Sequence, residues 1–126
     1  KTTISYKDLI FDIGKGIVKN NNKEIILTKN EIIIFNMLLS NKDRIVSKDE
    51  LMTELWNNDE YINENALTVN ISRLRAKLSD LGYENIIETR KGIGYRIYKR
   101  NTYYLYMWLS LSNLKNSKIY NHFYPD

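Results

Sequence analysis

Leu67-Thr68-Val69-Asn70-Ile71-Ser72-Arg73-Leu74-Arg75-Ala76-Lys77-Leu78 carries the strongest periodicity in the chain. Leu67, Ile71, Leu74, Leu78 and, just beyond, Leu81 recur at helical spacing. At 100° per residue they lie within about 80° of arc, an apolar stripe wide enough to face a core. Asn63 is a side chain that caps free backbone N–H groups, and Gly82 is a natural C-terminal stop. The spacing therefore predicts a helix over about residues 63–81.

The side opposite the stripe has an unusual composition. Asn65, Val69, Ser72 and Ala76 point away from the stripe, Thr68 and Arg75 flank it on one side, and Arg73 and Lys77 on the other. No acid occurs from Asn65 to Ser79. A helix enters the DNA major groove only with a narrow leading face, which favours small side chains at its centre. Basic flanks then reach phosphates on both walls. Asn65, Thr68 and Asn70 are suited to hydrogen-bonding base edges, and Val69 to meeting a thymine methyl. The plain alternative for Val69 is a half-exposed residue packed on its own helix.

Charge is distributed to match. The 126-residue chain carries a net +4. Residues 66–100 hold eight basic and three acidic residues, so the excess positive charge lies in that segment. Residues 42–64 reverse the balance, with seven acids against three bases. Two such blocks suggest two surfaces with different partners.

Outward from this helix, the chain orders itself as strands, helices and a hairpin. Residues 4–27 read as three or four short antiparallel strands, with turns at Gly14-Lys15-Gly16 and Asn20-Asn21-Asn22. Thr28-Lys29-Asn30-Glu31 and Ser47-Lys48-Asp49-Glu50 are capping boxes that open two further helices. The first ends near Asn41; the second carries Leu51 and Leu55 on one side, with Met52 and Trp56 beside them. Residues 57–63 form a polar, acidic loop. Residues 86–98 read as two strands around a turn, with Arg90 and Lys91 at its tip and flexible glycines at Gly92 and Gly94. Such a tip can enter a minor groove, whose negative potential attracts Arg and Lys. Gly92-Ile93-Gly94 lacks the context of a phosphate-binding loop.

Composition narrows the function classes. Hydrophobic residues make up 43% and charged residues 27%, as in ordinary globular domains. No Cys is present and His122 is the only His. Thiolate zinc sites, cysteine nucleophiles, multi-His metal sites and His-based triads are thereby excluded, and an enzyme is not expected. No metal or other cofactor is expected. No signal peptide is read at the N-terminus, and the initial Lys suggests a piece of a longer protein. Residues 101–126 differ in character: they hold five Tyr with Trp108 and Phe123. The apolar run 103–111 is far shorter than the roughly 20 residues of a membrane helix. An extra helix, an interface and a foreign segment all remain open for this tail. A rival reading of the chain is a protein- or membrane-interaction module that uses it.

At this point the residues resemble a known family. Leu27-Thr28-Lys29-Asn30-Glu31, Val46-Ser47-Lys48-Asp49-Glu50-Leu51 and Leu55-Trp56 look like the first two helices of the OmpR/PhoB-type winged-helix effector domain. Residues 68–78 look like its recognition helix, and Ile87-Glu88-Thr89-Arg90-Lys91-Gly92-Ile93-Gly94-Tyr95-Arg96-Ile97 like its wing. The variant Leu67-Thr68-Val69-Asn70 is similar to response regulators of the antimicrobial-peptide-sensing type. The resemblance covers about residues 4–98. It implies an α+β winged helix-turn-helix with a small N-terminal antiparallel sheet, a three-helix core and a C-terminal β-hairpin wing, as a domain over residues 1–100.

It also implies the output domain of a cytoplasmic two-component response regulator, with a receiver domain upstream. The recognition helix would lie in the major groove of double-stranded DNA and the wing at the minor groove. Carried over by position, Asn65, Thr68, Val69 and Asn70 become base-reading candidates, and Ser72, on the same outer face, is a DNA-binding candidate with them. Arg73, Arg75 and Lys77 become candidates for phosphate or base contacts, and Lys91 matches the wing-tip cation, with Arg90 beside it at the tip a further DNA-binding candidate. A homodimer on tandem direct repeats and a contact with RNA polymerase through residues 57–63 are implied in the same way. The sequence departs from the family pattern by continuing well past Ile97.

Overall fold

The computed structural model describes residues 2–21 and 23–97; the aromatic tail and its alternatives lie outside the described residues. The chain opens with strands β1 (Thr3–Tyr6), β2 (Leu9–Asp12), β3 (Ile17–Lys19) and β4 (Glu24–Ile26), which pair antiparallel in chain order. Register places Ile4, Phe11, Val18 and Ile25 side by side on one face. Phe11 and Val18 are fully buried, and the Phe11 ring lies 5.0 Å from that of Phe35 on the first helix. Besides the expected turns, a tight turn at Lys7-Asp8 separates β1 from β2, with Lys7 at φ 57°. Asp8 is a turn-forming type, but the sequence reading marks no turn there.

Helix α1 (Lys29–Ser40) starts on its capping box. Thr28 Oγ1 accepts from the Glu31 N–H, and the Thr28 N–H donates to Glu31 Oε1 at 2.9 Å. Helix α2 (Lys48–Asn57) starts the same way, with Ser47 and Glu50 at 3.0 and 2.7 Å. Helix α3 (Glu64–Asp80) is capped by Asn63, whose Oδ1 accepts from the Ala66 N–H at 2.8 Å. Its far end closes with Gly82 at φ 104°, the Gly82 N–H on the Ser79 carbonyl and the Tyr83 N–H on the Leu78 carbonyl.

The predicted stripe is the heart of the core. Leu67, Ile71, Leu74 and Leu78 are at most 1% exposed and join Ile34, Phe35, Leu38, Leu51 and Leu55 in one cluster. Each such side chain contributes about 1.5–3 kcal/mol on burial. Rolling α3 to expose the stripe would therefore cost about as much as the whole stability of a domain.

The C-terminal hairpin is held more firmly than a free wing. Strands β6 (Ile87–Arg90) and β7 (Gly94–Ile97) pair antiparallel, and a short strand β5 (Val46–Ser47), just before α2, adds to β7 to give the order β5-β7-β6. The sequence reading has no strand at Val46, since two residues give no period to detect. The role of one glycine also changes. Gly92, at φ 78°, supplies the turn, but Gly94 lies inside β7, where a Cβ would come within 2.1 Å of the Val46 carbonyl oxygen. Gly94 is there for close backbone approach, not flexibility. The Lys48 N–H, in the first turn of α2, also donates to the Ile93 carbonyl at 3.2 Å.

Gly94→Ala should therefore separate β5 from β7 and lower the unfolding free energy by about 1–3 kcal/mol or more, read by thermal or urea unfolding. The capping box of α2 supplies a pH dependence. The Arg44 guanidinium holds Glu50 in a two-pronged bond at 2.9 and 3.0 Å, and with the Ser47 N–H it lowers the carboxyl pKa from 4.5 to about 2. The pair is largely exposed and screened by solvent, so its contribution is modest. Its sign is fixed: the stabilisation is complete above 4.5 and lost as pH falls toward about 2. Glu50→Gln should flatten that part of the stability–pH curve.

Candidate nucleic-acid interface

The outer face of α3 is a shallow ridge of small side chains. Asn65, Thr68, Ser72 and Ala76 are exposed, and Val69 is 45% exposed. The Thr68 hydroxyl donates to the Glu64 carbonyl at 3.1 Å. Arg73 is exposed and makes no hydrogen bond or ion pair among the described residues. Asn70 is half-buried, its amide donating to the Ala66 carbonyl at 2.8 Å, which places it at the edge of this face.

Two of the candidate cations sit elsewhere. The Lys77 ammonium donates to Glu31 Oε1 at 2.6 Å and to the Ile26 carbonyl at 3.0 Å. Glu31 is itself fully buried, so Lys77 neutralises the carboxylate that caps α1. Arg75 turns to the other flank. Its Nε and Nη2 donate to the Ile87 carbonyl at 3.1 and 2.9 Å, Nη2 also donates to the Thr89 hydroxyl, and the guanidinium lies over the Tyr95 ring. Both side chains are bound within the fold.

The reason was present in the helical wheel. Arg75 and Lys77 each lie about 80° from the centre of the stripe, at the seams where neighbouring elements meet α3, whereas Arg73 lies about 120° away. The sequence reading places Arg75 on one flank and Arg73 with Lys77 on the other, and treats all three as candidates for DNA contacts.

At the hairpin tip, Arg90, Lys91, Gly92 and Ile93 are exposed. Arg90 Nε lies 3.2 Å from Glu88 Oε1, and Glu88 also accepts from Arg96 Nε at 2.6 Å. Those two cations, Arg96 first, hold the Glu88 carboxyl below its ordinary pKa. Lys91 makes no ion pair among the described residues, and Ile93 is 58% exposed beside it. Among the described residues, the cations of the face and the tip that are free of ion pairs are thus Arg73 and Lys91. The loop from α2 to α3 forms a separate surface. Tyr61 is 76% exposed and Trp56 47%, with Asp59 exposed and Glu60 held at 3.1 Å by Lys29.

Three helices with the second and third joined by a loop, flanked by a sheet and a hairpin, define a winged helix-turn-helix domain. The chain belongs to the family described as transcriptional regulatory protein, C terminal, whose pattern matches residues 22–97. It is 40% identical over 95 residues to the response regulator protein GraR of Staphylococcus aureus (strain MRSA252), covering 75% of this chain and 42% of that protein. The chain thus spans less than half the length of that relative. The C-terminal domain of the lantibiotic response regulator NsrR superposes with a TM-score of 0.70 at 34% identity, covering 77% of this chain and 98% of that one. The DNA-binding domain of response regulator AdeR shares the fold, with a TM-score of 0.64 at 24% identity over 74% of this chain and 95% of that one. The family is one of transcription regulators rather than a class of enzymes. Among the described residues no helix is long and apolar enough to cross a membrane.

Lys77→Ala would leave the Glu31 carboxylate buried without its counter-charge. It should lower stability by about 1–3 kcal/mol in urea unfolding, and Glu31→Gln in the same background should recover part of that loss.

Proposed function

We propose that this domain binds double-stranded DNA sequence-specifically and regulates transcription, as the output domain of a two-component response regulator. The observation that carries this reading is the exposed, acid-free face of α3, small at its centre and bearing Arg73, with Lys91 on the hairpin fastened to its flank, both exposed and without an ion pair among the described residues. The AdeR domain, which shares the fold, is known in complex with an intercistronic region of DNA. In this reading α3 enters the major groove. Asn65, Thr68, Val69 and Ser72 face the bases, with Asn70 at the edge, and Arg73 holds phosphate or a guanine edge. The wing tip, with Lys91 and Arg90, lies at the minor groove. Arg75 and Lys77 support the reading face from within the fold.

The remaining assignments rest on the family. A receiver domain would occupy part of the length that GraR has beyond this match. The protein would act in the cytoplasm as a homodimer on tandem direct repeats. The exposed aromatic and acidic side chains of residues 57–63 would meet RNA polymerase. No enzymatic activity is assigned.

Selection of bound duplexes from a random library at near-physiological salt tests the reading. A short enriched motif, repeated at about one helical turn, supports it; retention that only falls with salt and enriches nothing overturns the specific part. Arg73→Ala or Lys91→Ala should weaken binding to every duplex and reduce the slope of affinity against salt by about one ion each. Thr68→Ala should instead relax the preference at one base pair by about 1–3 kcal/mol. If Arg73→Ala and Lys91→Ala together leave duplex affinity unchanged at low salt, the interface lies elsewhere.

A further inference from the structure

We infer that Arg75 is a positioning residue that couples the recognition helix to the wing, so that α3 and the hairpin engage DNA as one rigid unit. The inference rests on the DNA-binding reading above.

Among the described residues, strand β6 is the edge of its sheet, paired on one side only, by β7. A two-stranded hairpin is marginal by itself in water, and an edge strand leaves backbone groups on its open side without ladder partners. The opposite edge of the sheet is secured by β5, by the close approach at Gly94 and by the Lys48–Ile93 bond. Ile87 anchors β6 in the core, and on the open edge the side-chain hydrogen bonds among the described residues come from one residue of α3. Arg75 forks Nε and Nη2 onto the Ile87 carbonyl, reaches the hydroxyl of Thr89 two residues along the same strand, and rests over Tyr95, the register partner of Thr89 on β7. One guanidinium thus grips both strands of the wing from the flank of the reading helix.

Only an arginine can do this. Its donors lie in a fixed plane, so gripping two points on β6 sets the angle between strand and helix, while stacking on Tyr95 sets the height. A lysine keeps the charge but makes a point contact. The consequence for function is geometric. Lys91, at the tip of this hairpin, reaches its groove only while the root of the hairpin is held at a constant offset from α3. Misplacement of the root would remove the contribution of the wing without touching a residue of the reading face.

A double-mutant cycle tests this on the duplex selected as described above. Lys91→Ala is expected to weaken binding threefold or more in the wild-type background and less than twofold with Arg75→Lys. Arg73→Ala should cost the same factor in both backgrounds, because α3 keeps its seat in the core. Independent, multiplicative effects of Arg75→Lys and Lys91→Ala would overturn the inference. So would full affinity in Arg75→Lys, which would mean that the charge alone matters, as in a direct phosphate contact. Amide hydrogen exchange on the DNA-free protein gives a second readout: Arg75→Lys should speed exchange in β6 and β7 while leaving α1 unchanged, and unchanged exchange in the wing overturns the coupling. Should Arg75→Lys not fold, Thr89→Val removes a single acceptor and is expected to shift the cycle and the exchange in the same direction to a smaller degree. A wild-type protein that binds no duplex would refute the DNA-binding reading instead, and the exchange measurement would still decide whether Arg75 holds the wing.

Discussion

Burial of Leu67, Ile71, Leu74 and Leu78 against α1 and α2 fixes the rotation of α3 about its own axis, and the rest of the domain depends on that rotation. The same burial that holds the stripe inward holds Asn65, Thr68, Val69 and Ser72 outward. Hydrophobic burial is strong but not directional. It determines which side of the helix is hidden without setting what happens along the two seams. There the structure uses directional contacts, Lys77 on Glu31 and the Ile26 carbonyl along one seam, and Arg75 on β6 and Tyr95 along the other. The reading face lies between two seams closed by cations that belong to the fold.

The arrangement explains how a small domain presents a precise surface. The capping carboxylate of α1 is fully buried, a costly position for a charge unless it is paired. Lys77 supplies the pairing from α3, so the start of the first helix and the flank of the third are joined through one ammonium. The start of α2 is joined to the wing in a parallel way. Ser47 is at once the N-cap of α2 and a residue of β5, and the next N–H, that of Lys48, bonds to the wing at Ile93. Each of these two helices therefore begins at a point where it also holds another element. Arg73 and Lys91 are suited to a polyanionic partner because, among the described residues, no carboxylate pairs with either of them.

A good part of this was legible in residue order. The two capping boxes announced α1 and α2 because a hydroxyl followed three residues later by a glutamate has a local use that needs no knowledge of the fold. The stripe from Leu67 to Leu81 announced α3 for a similarly local reason, and so did the hairpin around Gly92. Less was legible in the candidate interface. Asn65, Thr68, Val69, Ser72, Arg73 and Lys91 stand exposed as the wheel and the turn suggested, but grouping Arg75 and Lys77 with them ignored how near the seams they lie. Gly94 reads in the sequence as a flexible glycine of the tip, because its neighbour across the sheet, Val46, is far away in sequence and leaves no trace beside it.

The sequence by itself determined the elements: where each helix starts and stops, which side of α3 is apolar, and that its other side carries no acid. Those properties follow from contacts between residues within a few positions of one another. Tertiary structure alone decided which cations remain free, which glycine is required by crowding rather than by turn geometry, and that Val46 and Ser47 become the third strand of the wing. Each of these depends on a partner far along the chain — Glu31 for Lys77, Ile87 for Arg75, Val46 for Gly94 — and a side chain with several donors takes whichever acceptor the packed core brings within reach.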